Sequence, residues 1–392
     1  MIALTLGEIE QLTGGRIVGN PATLITGSVE TDSRLVGAGS LFFAKPGEVT
    51  DGHNFVAAAK GAGAVAAVVE RQVAVDIPQL VVGNVVTALG LLAKGVLARV
   101  RQGTDGTGIK VIGVTGSNGK TTTKSMLNAI LSKQGETVSP IESYNNEVGA
   151  PISVLKITHQ TEYLVAELGA GGLGSIRYLA EITQPDFGVV LKVGMAHAGE
   201  FGGIENTRKI KAELVQQLTA NATAVLNQDD SMVASMAELT AAKKVWFGTT
   251  PDADYWASDY ELTLAGTSFL LHWPDDSTNR VTLQIIGEHH VINALAAASV
   301  ADQIGIKRTE IVEALEGLPL AERWRMQLTT RADGVVVIND AYNASPDSTK
   351  AALQTLAQLG RQTGRRTVAV IGEMAELGQF SVAEHDAIGR LA

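Results

Sequence analysis

The spacing of apolar and polar residues predicts alternating strands and helices through most of the chain. Near the N-terminus, short apolar runs at residues 41–44 and Ala64–Val69 alternate with alanine-rich pieces, which is typical of a small α/β domain. From Lys110 onward the alternation is regular, and each apolar run of strand length is followed by a segment with helical spacing. This order favours a parallel sheet joined by right-handed crossovers.

The regular part of the chain predicts a series of strands and helices with one interruption. The predicted strands cover residues 110–115, 163–168, 187–193 and 222–226, and the predicted helices cover residues 120–133, 174–182 and 204–218. Residues 258–286 break the alternation with strand-like runs separated by turn residues, which predicts an antiparallel flap. A further helix is predicted over residues 290–304.

Two polar junctions divide the chain into three predicted domains. Residues 101–108 are glycine-rich and have no periodicity, which is typical of a linker, and a second junction lies near residues 316–321. We therefore predict domains over residues 1–104, 105–320 and 321–392. In the last of these, predicted strands at 334–339 and 367–371 flank a helix, and the segment is short enough that we expect an incomplete domain.

Composition and charge narrow the classes of function. The 392 residues include 31 Lys and Arg against 41 Asp and Glu, and the formal net charge of −10 excludes a bulk electrostatic attraction to nucleic acid or anionic lipid. Cysteine is absent, which excludes disulfides, thiol catalysis and cysteine-ligated metals. Because no basic leader or long apolar run occurs, we expect a cytoplasmic protein without stable membrane insertion.

The segment Thr-Gly-Ser-Asn-Gly-Lys-Thr at residues 115–121 has the sequence of a phosphate-binding loop. It joins a predicted strand to a predicted helix, which is the context that such a loop requires. Gly116 and Gly119 allow the backbone amides to close around phosphate, and Lys120 can reach the β and γ oxygens. The hydroxyl of Thr121 is placed to bind Mg²⁺. We therefore predict an ATP site.

Three further polar residues are candidates for the same site. Glu167 ends a predicted strand, and ligands of parallel sheets bind beyond the carboxyl ends of strands, so this carboxylate could hold Mg²⁺. His197 follows the next predicted strand, and Lys211 lies on the predicted helix at 204–218. Taken singly, each of the three is also consistent with a solvated residue on the protein surface.

The order of the motifs resembles that of the Mur ligases, which are ATP-dependent amide-forming enzymes of peptidoglycan precursor synthesis. In chain order the motifs are Thr115-Gly-Ser-Asn-Gly-Lys-Thr121, Asn145-Asn146, Glu167-Leu-Gly-Ala170, Ala196-His197, Lys211-Ala-Glu213, His289-x-x-x-Asn293 and Asp340-x-Tyr342-Asn343. The resemblance covers essentially the whole chain. It implies a three-domain α/β fold with a small UDP-sugar-binding domain, a central P-loop ATPase domain with a parallel sheet, and a Rossmann-like C-terminal domain.

Motifs at both ends resemble the pentapeptide-forming branch of this family. Thr31-Asp-Ser-Arg34 resembles the N-terminal domain that the tripeptide-forming and pentapeptide-forming enzymes share. The runs Asp-Ala-Tyr-Asn-Ala-Ser-Pro at 340–346 and Gly-Glu-Met-Ala-Glu-Leu-Gly at 372–378 resemble the pentapeptide branch alone. The resemblance implies a monomer that joins D-Ala-D-Ala to UDP-MurNAc-tripeptide with ATP and Mg²⁺, and so serves cell-wall synthesis, cell shape and cell division.

The resemblance also implies which residues act in catalysis and metal binding. Lys120 would neutralise charge on the transferring phosphoryl group. Thr121 and Glu167 would hold one Mg²⁺. His197, together with Lys211 if that lysine is carbamylated, would place a second metal ion near the reacting acyl phosphate.

Further residues are implied in binding. For the nucleotide they are Gly116, Ser117, Asn118, Gly119, Lys120, Thr121, Thr122, Asn146, Asn293, Arg325 and Asp340. For the uridine diphosphate they are Ser33, Arg34, Lys45 and His53, and for the incoming dipeptide Tyr342 and Asn343. A role of His53 in the folded core is an alternative. His290 stands where the family usually has asparagine on the adenine side.

Two other functions are considered. The first is the tripeptide-forming reaction, in which a diamino acid or lysine is added to the UDP-dipeptide. The second is a non-catalytic ATP-dependent switch built on the same loop. The combination of Glu167, His197 and Lys211 argues against a switch, which has no evident need for a second-metal histidine.

Overall fold

The computed structural model describes residues 1–47, 50–103, 108–140, 144–318 and 324–392, which form three α/β domains. The predicted domain junctions at 104/105 and 320/321 lie outside the described residues. Within the described parts of the chain, no helix combines the length and apolar character needed to cross a membrane.

The N-terminal domain is built on a small mixed sheet. Its elements are β1 (Leu4–Thr5), α1 (Leu6–Thr13), β2 (Arg16–Val18), β3 (Leu24–Ile25), β4 (Val29–Glu30), β5 (Ser40–Phe43), α2 (Val56–Ala62), β6 (Ala64–Val69), β7 (Gln79–Val81) and α3 (Val85–Gln102). The five-stranded sheet has the order β2-β7-β6-β5-β4, and only the β2–β7 pair is antiparallel. The small α/β domain predicted from the N-terminal pattern is confirmed.

Helix α3 joins this domain to the next one. The side chain of Asn84 accepts a hydrogen bond from the backbone N–H of Thr87 at 2.8 Å and so caps the start of the helix. The buried face of α3 contributes Leu92 and Val96 to a core that also contains Val111 of the central domain. The first two domains therefore share one continuous core.

The central domain is organised around a large sheet. Its elements are β8 (Lys110–Thr115), α4 (Lys120–Leu131), β9 (Thr137–Val138), α5 (Gly149–Val154), β10 (Tyr163–Glu167), α6 (Ser175–Thr183), β11 (Phe187–Val190), α7 (Ala198–Phe201), α8 (Ile204–Gln217), β12 (Thr223–Asn227), α9 (Ser231–Ala234), β13 (Lys243–Gly248), β14 (Tyr255–Thr263), β15 (Gly266–His272), β16 (Thr278–Leu283), α10 (His289–Ile304) and α11 (Arg308–Glu316).

This sheet has nine strands in the order β16-β15-β14-β13-β12-β11-β8-β10-β9. The pairs from β9 to β14 are parallel, and β14, β15 and β16 pair antiparallel, so the predicted flap is confirmed. The predicted strands at β8, β10, β11 and β12 are also confirmed, while β9 and β13 were not predicted. Because β8, β10 and β11 are parallel neighbours, their carboxyl ends meet at one edge.

The C-terminal domain contains β17 (Gln327–Thr330), β18 (Val336–Asn339), α12 (Pro346–Thr363) and α13 (Ser381–Leu391), and its two strands pair antiparallel. The strand predicted at residues 367–371 is wrong, because no described segment pairs with this stretch. A strand needs a hydrogen-bonded neighbour whatever its apolar content. Val370 is accordingly 96% exposed.

Candidate active site

A cavity of about 800 Å³ lies at the edge where β8, β10 and β11 end, between the central and C-terminal domains. The predicted site residues that line it are Ser117, Asn118, Gly119, Lys120, Thr121, Thr122, Glu167, His197, Lys211, Asn293, Arg325, Asp340, Tyr342 and Asn343. Residues that are more than 200 positions apart in sequence therefore line the same cavity. This edge is where a parallel sheet places its ligands.

The phosphate-binding loop has the backbone conformation that its glycines allow. Gly116 and Gly119 have φ angles of +156° and +87°, in the region that residues with a side chain rarely adopt. A Cβ atom at Gly119 would overlap the side-chain oxygen of Asn293. The positive φ angle and the close approach of Asn293 together favour glycine at position 119.

The first residues of α4 point into the cavity. Nζ of Lys120 donates a hydrogen bond to the carbonyl oxygen of Gly116 at 2.8 Å, which folds the lysine back over the loop. Removal from water lowers the pKa of Lys120, and the charge of Arg325 adds to this effect while Glu167 opposes it. The side chain is therefore held over the loop, inside the cavity.

Glu167 occupies the carboxyl end of β10 and is 1% exposed. Its Oε1 accepts a hydrogen bond from Nδ2 of Asn145 at 2.8 Å and lies 3.5 Å from the hydroxyl of Thr121. Its Oε2 is buried and finds no hydrogen-bond partner among the described residues. A buried carboxylate oxygen of this kind lacks a compensating interaction, and a hard cation would supply one.

Lys211 lies on α8 and is 2% exposed. Burial lowers the pKa of its ammonium group well below the ordinary value, the charge of Lys120 lowers it further, and Glu167 and Glu213 oppose the shift. The carboxylate of Glu213 is itself occupied, since it accepts hydrogen bonds from the backbone N–H groups of Gly174 and Arg177, at 2.6 and 3.0 Å. Burial and the charge of Lys120 therefore both disfavour the ammonium form of Lys211.

His197 lies between β11 and α8, directly before the short helix α7, and has a φ angle of +60°. Its Nδ1 contacts a carboxylate oxygen of Glu376 from the C-terminal domain and lies 3.9 Å from a carboxylate oxygen of Glu200. Its side chain lines the same cavity as Lys211. The solvated alternative does not describe Lys211, which is buried, while the side chain of His197 is 32% exposed.

The C-terminal domain contributes an arginine and an aspartate to the cavity. Nη2 of Arg325 donates a hydrogen bond to the hydroxyl of Thr121 at 3.2 Å, and its guanidinium lies 4.2 Å from the ring centre of Tyr342. Oδ1 of Asp340 accepts a hydrogen bond from the backbone N–H of Met326 at 3.0 Å. Burial raises the pKa of Asp340, while this hydrogen bond and the charge of Arg325 partly offset the rise.

The start of α12 also contacts the central domain. The carboxylate of Asp347 forms an ion pair with Lys192 at 2.7 Å and accepts a hydrogen bond from the backbone N–H of Met195 at 3.0 Å. The hydroxyl of Ser345 donates to the side-chain oxygen of Asn118, at 3.4 Å. These contacts hold the C-terminal domain against the central domain beside the phosphate-binding loop.

Asn145 rather than Asn146 reaches the cavity. The side-chain oxygen of Asn146 accepts hydrogen bonds from the backbone N–H groups of Val148 and Gly149, at 3.2 and 2.8 Å, in the turn that precedes α5. Asn146 does not line the cavity, and the nucleotide contact predicted for it stays a prediction. The two asparagines are adjacent in sequence, and the fold of the loop decides which one lines the cavity.

The four residues predicted to bind uridine diphosphate lie in the N-terminal domain and do not line this cavity. Arg34 is exposed and paired with Asp32, at 2.5 Å between Nη2 and Oδ2. Ser33 lies next to it in the same turn, and Lys45 is exposed at the end of β5. These three positions remain open to a ligand from the solvent side.

His53 has a different environment from the other three. It is 4% exposed, its Nε2 accepts a hydrogen bond from the backbone N–H of Glu70 at 2.9 Å, and its Nδ1 lies 2.6 Å from Oδ1 of Asp51. Both ring nitrogens are thus used inside the domain. The structure favours the folded-core role of His53 over direct contact with a substrate.

Sequence reasoning missed Asn145, Lys192, Asp347 and Glu376 as members or neighbours of the site. Asp347 directly follows the run at 340–346 that the sequence did single out, and Glu376 lies within the run at 372–378. No local signal identified Lys192, because its partner Asp347 lies in another domain.

Three family models match the chain. They are the Mur ligase family catalytic domain over residues 26–97, the Mur ligase middle domain over residues 114–301, and the Mur ligase glutamate ligase domain over residues 324–392. The chain is also 44% identical over 419 aligned residues to UDP-N-acetylmuramoyl-tripeptide–D-alanyl-D-alanine ligase of Mycobacterium tuberculosis, and the alignment covers 100% of this chain and 81% of the relative. This chain belongs to the Mur ligase family.

Solved structures of the Mur ligase family match the fold as well. A crystal structure of MurF from Acinetobacter baumannii superposes with a TM-score of 0.90 at 35% identity, over 100% of this chain and 83% of that one. MurF ligase from Thermotoga maritima in complex with ADP gives a TM-score of 0.81 at 29% identity, over 94% of this chain and 82% of that one. The three-domain α/β Mur ligase architecture expected from the sequence is confirmed.

Replacing His290 with asparagine is expected to reduce the loss of stability at acid pH. Burial holds the pKa of His290 well below its ordinary 6.5, and the charges of His289 and Arg325 add to this effect. The folded protein therefore keeps the ring neutral, whereas the unfolded chain binds a proton as the pH falls through about 6.5. Proton binding to the unfolded state lowers the free energy of unfolding as the pH falls.

Melting temperatures at about pH 7 and about pH 5 measure this effect. The difference between the two should be smaller for His290→Asn than for the parent protein. The exposed His159, replaced in the same way, is the matched control and should leave the difference unchanged. An equal acid sensitivity of the parent and His290→Asn would contradict the prediction.

Proposed function

We propose that this chain joins D-alanyl-D-alanine to the terminal carboxylate of UDP-MurNAc-tripeptide at the expense of ATP, giving the UDP-pentapeptide, ADP and phosphate. The γ-phosphoryl group of ATP passes to the carboxylate of the tripeptide and makes an acyl phosphate. The amino group of the dipeptide attacks the acyl carbon, and the tetrahedral intermediate expels phosphate as the amide forms. The observation that carries the proposal is the convergence of the phosphate-binding loop, Glu167, His197 and Lys211 on one cavity.

The cavity supplies the positive charge that phosphoryl transfer needs. Lys120 is held over the loop by its bond to Gly116, and Arg325 reaches the hydroxyl of Thr121 from the C-terminal domain. Catalysis of this transfer depends mostly on position and on electrostatic stabilisation of the transferring group. Asn293 lies against Gly119 of the loop, and we assign it to the adenine side as the family resemblance implies.

The donor set also fits Mg²⁺. The unpartnered Oε2 of Glu167 and the hydroxyl of Thr121 would hold one ion, and His197 with a carbamylated Lys211 would hold a second. When bound, the metal offsets the negative charge of the phosphate groups. A neutral, buried amine at Lys211 is the form that captures CO₂, and the resulting carbamate offers an oxygen ligand in place of a cation.

The remaining assignments are those that the family resemblance implies. Domains over residues 1–104, 105–320 and 321–392 would bind the UDP-sugar, ATP and the incoming dipeptide. Ser33, Arg34 and Lys45 would contact the uridine diphosphate, and Tyr342 with Asn343 the dipeptide. We further propose that the protein acts as a monomer in the cytoplasm, where nucleotide-linked precursors are assembled.

Phosphate release is expected only when UDP-MurNAc-tripeptide, D-Ala-D-Ala and Mg-ATP are all present. The relatives that cover the whole chain carry this activity in their names, and the run at 340–346 resembles the same branch. A coupled phosphate assay with each UDP-peptide and each amino acceptor in all combinations measures it. The pentapeptide product is identified by its mass.

The same assay separates the two alternatives. Turnover with UDP-dipeptide and a diamino acid or lysine, without turnover on D-Ala-D-Ala, would support the tripeptide-forming reaction instead. ATP hydrolysis that needs neither acceptor would support a switch. Omission of Mg²⁺ should abolish phosphate release with the substrates that the protein accepts. Neither of the two proposed donor sets would then hold a cation beside the phosphate groups.

A further inference from the structure

Helix α7, which follows His197, packs against a segment of the C-terminal domain that has no role in the proposed mechanism. This segment includes Glu376 and Leu377, within the run at 372–378. A carboxylate oxygen of Glu376 contacts Nδ1 of His197, and the backbone oxygen of Glu376 accepts a hydrogen bond from the N–H of Gly199 at 3.1 Å. One residue thus fixes both the imidazole and the backbone of the same turn.

The two segments fit together closely. A Cβ atom at Gly199 would lie 2.6 Å from the carbonyl oxygen of Leu377, so position 199 requires glycine for the two segments to meet. His197 and Glu376 have φ angles of +60° and +64°, which residues with a side chain adopt at a cost. Such conformations persist where surrounding contacts impose them, and they concentrate at functional sites.

The segment that carries Glu376 is itself anchored. Met374 and Leu377 on either side are each 1% exposed, and they pack with Ile388 of α13. The backbone N–H of Met374 donates a hydrogen bond to Nε2 of His385 at 3.0 Å. Glu376 therefore lies on a segment that is packed against α13, and this packing fixes its position.

We propose that Glu376 is a positioning residue that orients the imidazole of His197, so that Nε2 is the nitrogen left for the cavity. A carboxylate on one ring nitrogen fixes the ring orientation and the tautomer, and it makes the other nitrogen a better ligand. Because Glu376 and His197 belong to different domains, the histidine reaches this state only when the C-terminal domain is closed on the central domain. This inference rests on the role proposed above for His197.

The test compares Glu376→Gln with Glu200→Gln. Glutamine at 376 keeps the size of the side chain and removes the charge that contacts Nδ1. We expect kcat to fall about 10- to 100-fold, with the KM for UDP-MurNAc-tripeptide nearly unchanged. Glu200 lies 3.9 Å from the same nitrogen and is the matched control, because its loss should leave kcat within about twofold of the parent.

A second readout is independent of turnover. In full-length protein labelled with ¹⁵N-histidine, the signal that disappears in His197→Gln identifies His197. The parent should show the proton on Nδ1, and Glu376→Gln should show a mixture of the two neutral tautomers. An unchanged His197 signal in Glu376→Gln, or an equal fall of kcat in Glu200→Gln, would overturn the inference. Lack of turnover by the parent protein would count against the proposed function, and the tautomer measurement would still decide the role of Glu376.

Discussion

Replacement of Lys211 with alanine is expected to lower turnover by about 100- to 1,000-fold, the usual cost of losing one group that stabilises developing charge. Lys211 is 2% exposed and lies where Glu167 and Lys120 act on it electrostatically. Alanine leaves a gap at the position of the proposed carbamate. A short carboxylic acid such as acetate can enter this gap and offer the same oxygen ligand, so adding it should restore part of the rate. Steady-state phosphate release with and without the acid measures both effects.

Lys209→Ala is the matched control for this experiment. Lys209 lies on the same helix as Lys211 but is exposed, and truncation of a solvated lysine should change stability and turnover little. Near-parental turnover of Lys211→Ala would contradict the carbamate role and leave His197 in need of another partner. A loss of rate that no short acid reverses would count against the carbamate specifically.

Replacement of Gly119 with alanine is expected to weaken ATP binding by about 100-fold or more. Alanine at a φ angle of +87° costs about 1–2 kcal/mol, and its Cβ would overlap the side-chain oxygen of Asn293, at a further cost of about 1–3 kcal/mol. These costs reshape the loop and reduce the binding free energy of ATP. Each loss of about 1.4 kcal/mol raises the Kd for ATP tenfold. Calorimetric titration with ATP measures the affinity.

Gly305→Ala separates backbone strain from the overlap with Asn293. Gly305 has a φ angle of +99° at the end of α10, and a Cβ there would meet no neighbouring group within 4 Å among the described residues. This variant should lower the melting temperature by a few degrees and leave the Kd for ATP unchanged. If Gly119→Ala binds ATP like the parent, the loop does not close around phosphate in the way we describe.

The sequence by itself determined the features that are encoded locally. The phosphate-binding loop is contiguous. The glycines, lysine and threonine that predict its chemistry all lie within the seven positions 115–121. The strands and helices around it follow from apolar spacing. Burial of one face repeats apolar residues at every second position in a strand and at every third or fourth position in a helix. Glu167 could be placed at the same edge, since parallel strands bring their carboxyl ends together.

Only the tertiary structure decided which side chains meet across elements and domains. It selected Asn145 over its neighbour Asn146, engaged both ring nitrogens of His53 inside the N-terminal domain, and brought Glu376 against His197. It also left residues 367–371 without a strand partner among the described residues, although their apolar pattern is that of a strand. These outcomes depend on contacts between residues far apart in the chain, and such contacts are fixed by the packing of whole elements against one another, which no local spacing of residues encodes.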